Sequence, residues 1–178
     1  MWLWFLLGKD VSNIKAKIGF QIKKEIEKKF IASYIPEKTN GFLIKQGYLQ
    51  MDITRSVRVR AVSNKKMKHG LITIKGIGDD AGISRYEFET KISIGDALDL
   101  LKLCDLPLIK KTRYHYNYMG FLWEIDEFHK ENSGLLIAEI ELTHMNQTFP
   151  LPAFIDREVT GQKEYYNSML VKNPFESW

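Results

Sequence analysis

The sequence predicts a mainly β (α+β) protein whose strands build an antiparallel barrel, and three observations lead there. From Lys24 onward polar and apolar residues alternate with period two, the mark of half-buried strands. Clusters of turn-forming residues cut that alternation into short runs. The charges on those runs are sorted by sign, acidic on some and basic on others. Two short helical patterns stand among them.

The runs are 25–31, 50–62, 70–75, 85–92, 109–118, 121–129 and 135–142. Asn64 with the lysines after it, the Gly76–Asp80 stretch, Met119-Gly120 and Glu131–Gly134 supply the turns between them. Residues 96–104 carry Ala97, Leu100, Leu101 and Cys104 at helical spacing, and Pro107 closes them. Residues 162–171 form a second helical candidate, stopped by Pro174. Seven or eight antiparallel strands with few helices make a barrel or a sandwich.

The chain has 178 residues, 44% hydrophobic and 27% charged, enough for one domain with a sizeable core. Residues 23–178 read as that domain, and residues 1–22 as an extension of unknown role. Met1–Leu7 is apolar, far short of the roughly 20 residues that span a bilayer. It lacks the flanks of a signal peptide. Either a helix docked on the domain or an extension ahead of the natural start is expected, in preference to an interfacial patch. The net charge of +4 suits an anionic ligand without naming one. A lone cysteine, Cys104, excludes an internal disulfide and a cysteine zinc site; it fits a reducing, cytoplasmic setting.

Residues two apart on a strand share a face. Glu25, Glu27 and Lys29 therefore align, as do Arg58 and Arg60, Thr73 and Lys75, Glu87 and Glu89, Lys111 and Arg113, Glu124 and Asp126, and Glu139 and Glu141. A sheet with one wet face gives the same alternation, but a solvated face mixes signs. Closing the sheet so that these faces point inward is the economical arrangement, and a barrel of about eight strands holds one small ligand. Opposed carboxylate pairs suit a hard cation such as Mg²⁺ or Mn²⁺. Arginine and lysine on the other walls suit a polyanion. A polyphosphate with its metal uses both halves.

At these residues the chain resembles the CYTH, or triphosphate-tunnel metalloenzyme, family, and within it the short bacterial members more than the class IV adenylate cyclases. Glu25–Phe30 (EIEKKF) matches the ExExK signature. RVR at 58–60, LITIKG at 71–76, EFE at 87–89, KTRY at 111–114, WEID at 123–126, GLLIAEIEL at 134–142, EVTG at 158–161 and YYNS at 165–168 follow in family order. The match runs from about Lys24 to Ser168. It implies an eight-stranded antiparallel tunnel and metal-dependent hydrolysis of a triphosphate, with inorganic tripolyphosphate the leading substrate. Thiamine or nucleoside triphosphate hydrolysis, adenylate cyclisation and non-catalytic polyphosphate or nucleotide binding are the alternatives. By motif, Glu25, Glu27, Glu139 and Glu141 would hold the metal that grips the phosphates. Asp126, with Glu124, would hold a second. Lys29, Arg58, Arg60, Lys75, Lys111 and Arg113 would bind the phosphate chain, with Lys29, Arg58, Arg60 and Arg113 also acting in catalysis. Glu87 and Glu89 would orient the basic residues. The expected partner is a small triphosphate; a nucleic-acid duplex cannot enter so narrow a lumen, and the chain would act as a monomer or homodimer.

Other residues are set aside. His69, His115, His129 and His144 lack metal-ligand spacing. Ser63, Ser84 and Ser168 lie outside any nucleophile elbow. Tyr48 is assigned to the tunnel or to the core.

Overall fold

The computed structural model describes residues 23–52, 55–78 and 84–178; the proposed extension 1–22 lies outside them. Nine strands form one antiparallel sheet: β1 (Lys23–Ala32), β2 (Phe42–Met51), β3 (Ser56–Ser63), β4 (Lys68–Gly78), β5 (Ser84–Ile92), β6 (Ile109–Tyr118), β7 (Phe121–His129), β8 (Leu136–Glu141) and β9 (Ile155–Glu158). Their spatial order is β5-β4-β3-β2-β6-β7-β8-β1-β9, and β5 also pairs with β1. β1 divides one of its edges between two partners. Its first four residues meet β5, and Phe30–Ala32 meet β9. Eight strands thus return on themselves as a barrel, across a seam of four residue pairs among the described residues.

Helix α1 (Ile94–Leu101) connects β5 to β6 and is opened by Ser93, whose hydroxyl accepts from the Asp96 amide. It packs on the outside of β2, β3 and β4, where Ala97, Leu101 and Cys104 meet Val59 and Ala61. Glycines let it and the turn after it come close: a Cβ on Gly70 would lie 2.5 Å from Ala97 Cβ, and one on Gly47 2.6 Å from Cys104 Cβ. A second apolar cluster, on the other side of the wall, covers β1, β7 and β8 with Phe30, Trp123, Ile125, Ile140 and Phe154.

The third cluster lies inside the barrel. Ile109, Phe128 and Ile137 continue the charged inward faces of β6, β7 and β8 and meet Leu170 and Val171 of α2 (Asn167–Lys172), with Tyr165. The lumen therefore changes character along its length, with charge over one stretch and apolar packing over the other. Among the described residues, no helix is long and apolar enough to cross a membrane.

Candidate active site

The charged stretch of the lumen encloses a cavity of about 540 Å³. Period-two alternation aims its lining inward. β1 gives Glu25, Glu27 and Lys29; β3 gives Arg58 and Arg60; β4 gives Lys75; β5 gives Glu87 and Glu89; β6 gives Arg113; β7 gives Glu124; β8 gives Glu139 and Glu141. Twelve of the fourteen residues singled out by motif are in that lining. The other two, Lys111 and Asp126, are not, and each is 1% exposed. They sit where the charged lumen meets the apolar packing: Lys111 Nζ lies 5.3 Å from the centre of the Phe128 ring.

Asp126 is fully engaged. Its Oδ1 accepts from Arg113 Nε at 2.7 Å, and its Oδ2 from Arg113 Nη2 at 2.6 Å and Lys111 Nζ at 2.6 Å. Arg113 also donates to Glu124 and, at 2.7 Å, to Glu139. Burial works against the charge on Arg113, but Asp126 and Glu124 outweigh it and hold the pKa well above the ordinary value. For Asp126 and Glu139 burial is likewise outweighed, by Arg113 and Lys111 at Asp126 and by Lys29 first at Glu139, so both stay below the usual carboxylate range. Lys111 differs: burial prevails over Asp126 and lowers its pKa to about 8.

Across the lumen, Arg60 donates to Glu89, and Arg58 Nη2 donates to Thr73 Oγ1 at 3.3 Å. Burial, with Arg58 beside it, lowers the Arg60 pKa to about 10. The Nε atoms of Arg58 and Arg60 are buried with no acceptor. Among the described residues the two adjacent guanidinium groups share a single ion-pair partner, Glu89, so positive charge is left over. That surplus calls for an anion.

The acidic wall sets carboxylates against one another. Glu27 stands directly across from Glu141 in the β1–β8 register, and Glu139 is across from Lys29. Like charges directly opposite each other destabilise a strand pair, and an all-oxygen set of this kind suits a hard divalent cation. Glu25, Glu27, Glu139 and Glu141 therefore fit such an ion by donor chemistry. Among the described residues no three acidic, histidine or cysteine side chains are gathered into a ready cluster. Glu25 is drawn to Lys75 at 2.8 Å, and Glu139 to Lys29 at 2.5 Å.

The lining also holds residues given no site role from the sequence, Phe42, Met67, His69, Leu71, Lys91, His115 and the Tyr166–Ser168 stretch, while Tyr48, assigned to the tunnel or to the core, belongs to both. His115 stacks on Phe42 with ring centres 5.2 Å apart, and its Nε2 lies 3.4 Å from Glu124. Three of these extend alternations already in view. His115 follows Lys111 and Arg113, Lys91 follows Glu87 and Glu89, and His69 precedes Thr73 and Lys75 in the same phase. Carrying each pattern to the end of its strand finds them. The Tyr166–Ser168 stretch carries no such signal, because the chain's return to the lumen decides its place.

The model of the CYTH domain matches residues 14–169. An inorganic triphosphatase of Acetivibrio thermocellus is 49% identical over 158 residues, 87% of this chain and 97% of the relative. One of Nitrosomonas europaea is 31% identical over 150 residues, 82% of this chain and 95% of its own length. A crystal structure of an inorganic triphosphatase superposes with a TM-score of 0.58 at 27% identity, covering 83% of this chain and 93% of the other.

Proposed function

Because this chain belongs to the CYTH domain family, we propose that it hydrolyses inorganic tripolyphosphate, with a divalent cation, Mg²⁺ or Mn²⁺, bound beside the substrate. Its matched relatives are named inorganic triphosphatases over nearly their whole length. The observation that carries the substrate class is the cation surplus at Arg58 and Arg60, whose Nε atoms are buried without acceptors, opposite a carboxylate wall in one cavity.

In this reading Lys29, Arg58, Arg60, Lys75 and Arg113 hold the phosphate chain, and Glu25, Glu27, Glu139 and Glu141 hold the cation. When bound, such a cation neutralises phosphate oxygens and lowers the pKa of a coordinated water. The side chains supply the rest. Arg58 and Arg60 keep net positive charge where the departing phosphate gains negative charge, which favours the transition state over the ground state. Phosphoryl transfer needs positioning and charge neutralisation more than covalent chemistry, and a rigid barrel wall supplies both. Asp126 and Lys111 stand behind Arg113 and act on the substrate through it. The apolar side chains of Phe42, Met67 and Leu71 in the lining favour a second, weaker activity on nucleoside triphosphates, whose bases need such a surface.

Phosphate release should be measured from tripolyphosphate, ATP and thiamine triphosphate, with Mg²⁺ and with Mn²⁺. Tripolyphosphate should be hydrolysed fastest, and Glu27→Gln and Arg60→Ala should each lose about a hundredfold or more. Formation of cyclic AMP faster than phosphate release, or no turnover with either metal, overturns the reading.

A further inference from the structure

Thr73 has no part in the chemistry described so far, yet it is 0% exposed in the middle of a charged wall. It lies opposite Arg58 of β3 on one side and opposite Glu89 of β5 on the other, so the three residues form one rung across the sheet. Its hydroxyl donates to Glu89 Oε2 at 2.7 Å and accepts from Arg58 Nη2 at 3.3 Å. Those roles are fixed by chemistry. An ionised carboxylate can only accept and a guanidinium can only donate, so the hydroxyl proton must point to Glu89 and the oxygen lone pairs to Arg58.

Glu89 Oε2 also takes the hydrogen bond from Arg60. Arg58 reaches no closer than 4.0 Å to that oxygen, too far for a direct hydrogen bond. The threonine closes that gap. Burial opposes the charge on Glu89, but Arg60 and the Thr73 hydroxyl, followed by Arg58, outweigh it and keep the carboxyl ionised. A valine would fill the same volume and could do neither job.

We infer that Thr73 is a positioning residue for triphosphate hydrolysis, its hydroxyl extending the hold of Glu89 to Arg58 so that one carboxylate sets both guanidinium groups. The inference rests on the cavity being a triphosphate site. An arginine held beforehand in its working orientation loses less freedom when substrate arrives, and that preorganisation appears as rate.

The test compares Thr73→Val and Thr73→Ser, and places Thr73→Val in an Arg58→Ala background. With tripolyphosphate, Thr73→Val should lose about tenfold in kcat/KM and Thr73→Ser less than about threefold. In the Arg58→Ala background, Thr73→Val should change the remaining rate by less than about twofold, because its effect passes through Arg58. Calorimetric titration with tripolyphosphate, without divalent cation, should rank the affinities in the same order. Thermal melting establishes that the variants are folded, and Thr73→Cys replaces Thr73→Val if the latter is not. Equal losses in the valine and serine variants, a valine variant as active as wild type, or a full tenfold loss without Arg58 overturns the inference. A wild type that neither binds nor hydrolyses tripolyphosphate overturns the functional reading, and this inference with it.

Discussion

Arg113 enters the cavity already neutralised. Asp126 grips it from behind with two hydrogen bonds, and Glu124 and Glu139 take more of its donors. Among the described residues Arg58 and Arg60 have Glu89 as their one shared ion-pair partner, so they carry the charge that a polyanion feels. The two sides should therefore fail differently. Arg60→Ala is expected to cost activity above all, whereas Arg113→Ala leaves Asp126, 1% exposed, with Lys111 as its one ion-pair partner among the described residues. Removing one member of such a buried pair costs about 3–5 kcal/mol, and urea denaturation of Arg113→Ala measures it. A loss below about 1 kcal/mol would mean that the fork does not anchor the wall. The pH response follows from the same pairs. Asp126 and Glu139 have depressed pKa values when folded, so their contribution is full above the unfolded carboxylate pKa of about 4. It is lost as pH falls below that through the folded values. Thermal midpoints should hold level from pH 7 to about 5 and drop steeply below 4. Lys111 titrates on the alkaline side, near 8, and nitrogen NMR of its ammonium should show a midpoint between about 7 and 9.

At the scale of elements, the sequence was most legible where charge alternated and least where it did not. The runs that correspond to β5 to β8 lie close to the observed bounds because each has an acidic or basic doublet on one face, while β4, with only Thr73 and Lys75 to mark it, extends beyond its run at both ends. β2 (Phe42–Met51) was missed. Its inward residues Ile44, Gln46 and Tyr48 are uncharged, and Gly47 interrupts the pattern. Its end merges with β3 in the single alternating run 50–62. The break between them is made by the Asp52 side chain accepting from the Arg55 amide, with no glycine or proline to mark it. β9, at four residues, is too short to show a period. The second helical candidate, 162–171, resolves into a 3-10 turn at Lys163–Tyr165 and then α2. Close packing of α1 was also hidden, since it depends on what Gly47 and Gly70 lack. Gly70→Val would press its side chain against Ala97, Ile92 and the Ser93 carbonyl. Overpacking of this kind costs about 1–3 kcal/mol, readable as a lower urea midpoint, while residual activity per folded molecule should remain near wild type.

For the whole molecule, sign segregation was the decisive clue, because sorted charges make sense only on walls that face one another. What it could not reveal was the apolar stretch of the lumen, which forms when the chain returns at Tyr165, Leu170 and Val171 to meet Ile109, Phe128 and Ile137. That packing explains why Lys111 and Asp126 left the lining. The barrel's pairings are also uneven. Among the described residues β6 and β7 share nine residue pairs, but β1 and β5 share four. Local opening starts where few hydrogen bonds must break together, so amides at the β1–β5 seam should exchange with deuterium faster than those between β6 and β7. Equal protection at both places would show that the ring opens only as a unit. The ladder between β1 and β8 joins residues about a hundred and ten positions apart in sequence, as Lys29 and Glu139 illustrate. During synthesis, then, the acidic half of the site emerges from the ribosome in two instalments, and the arginines on β3 are made in the interval. Until β8 arrives the nascent chain presents Arg58 and Arg60 on an unfinished wall, so the growing polypeptide would meet cellular polyanions before it can process one.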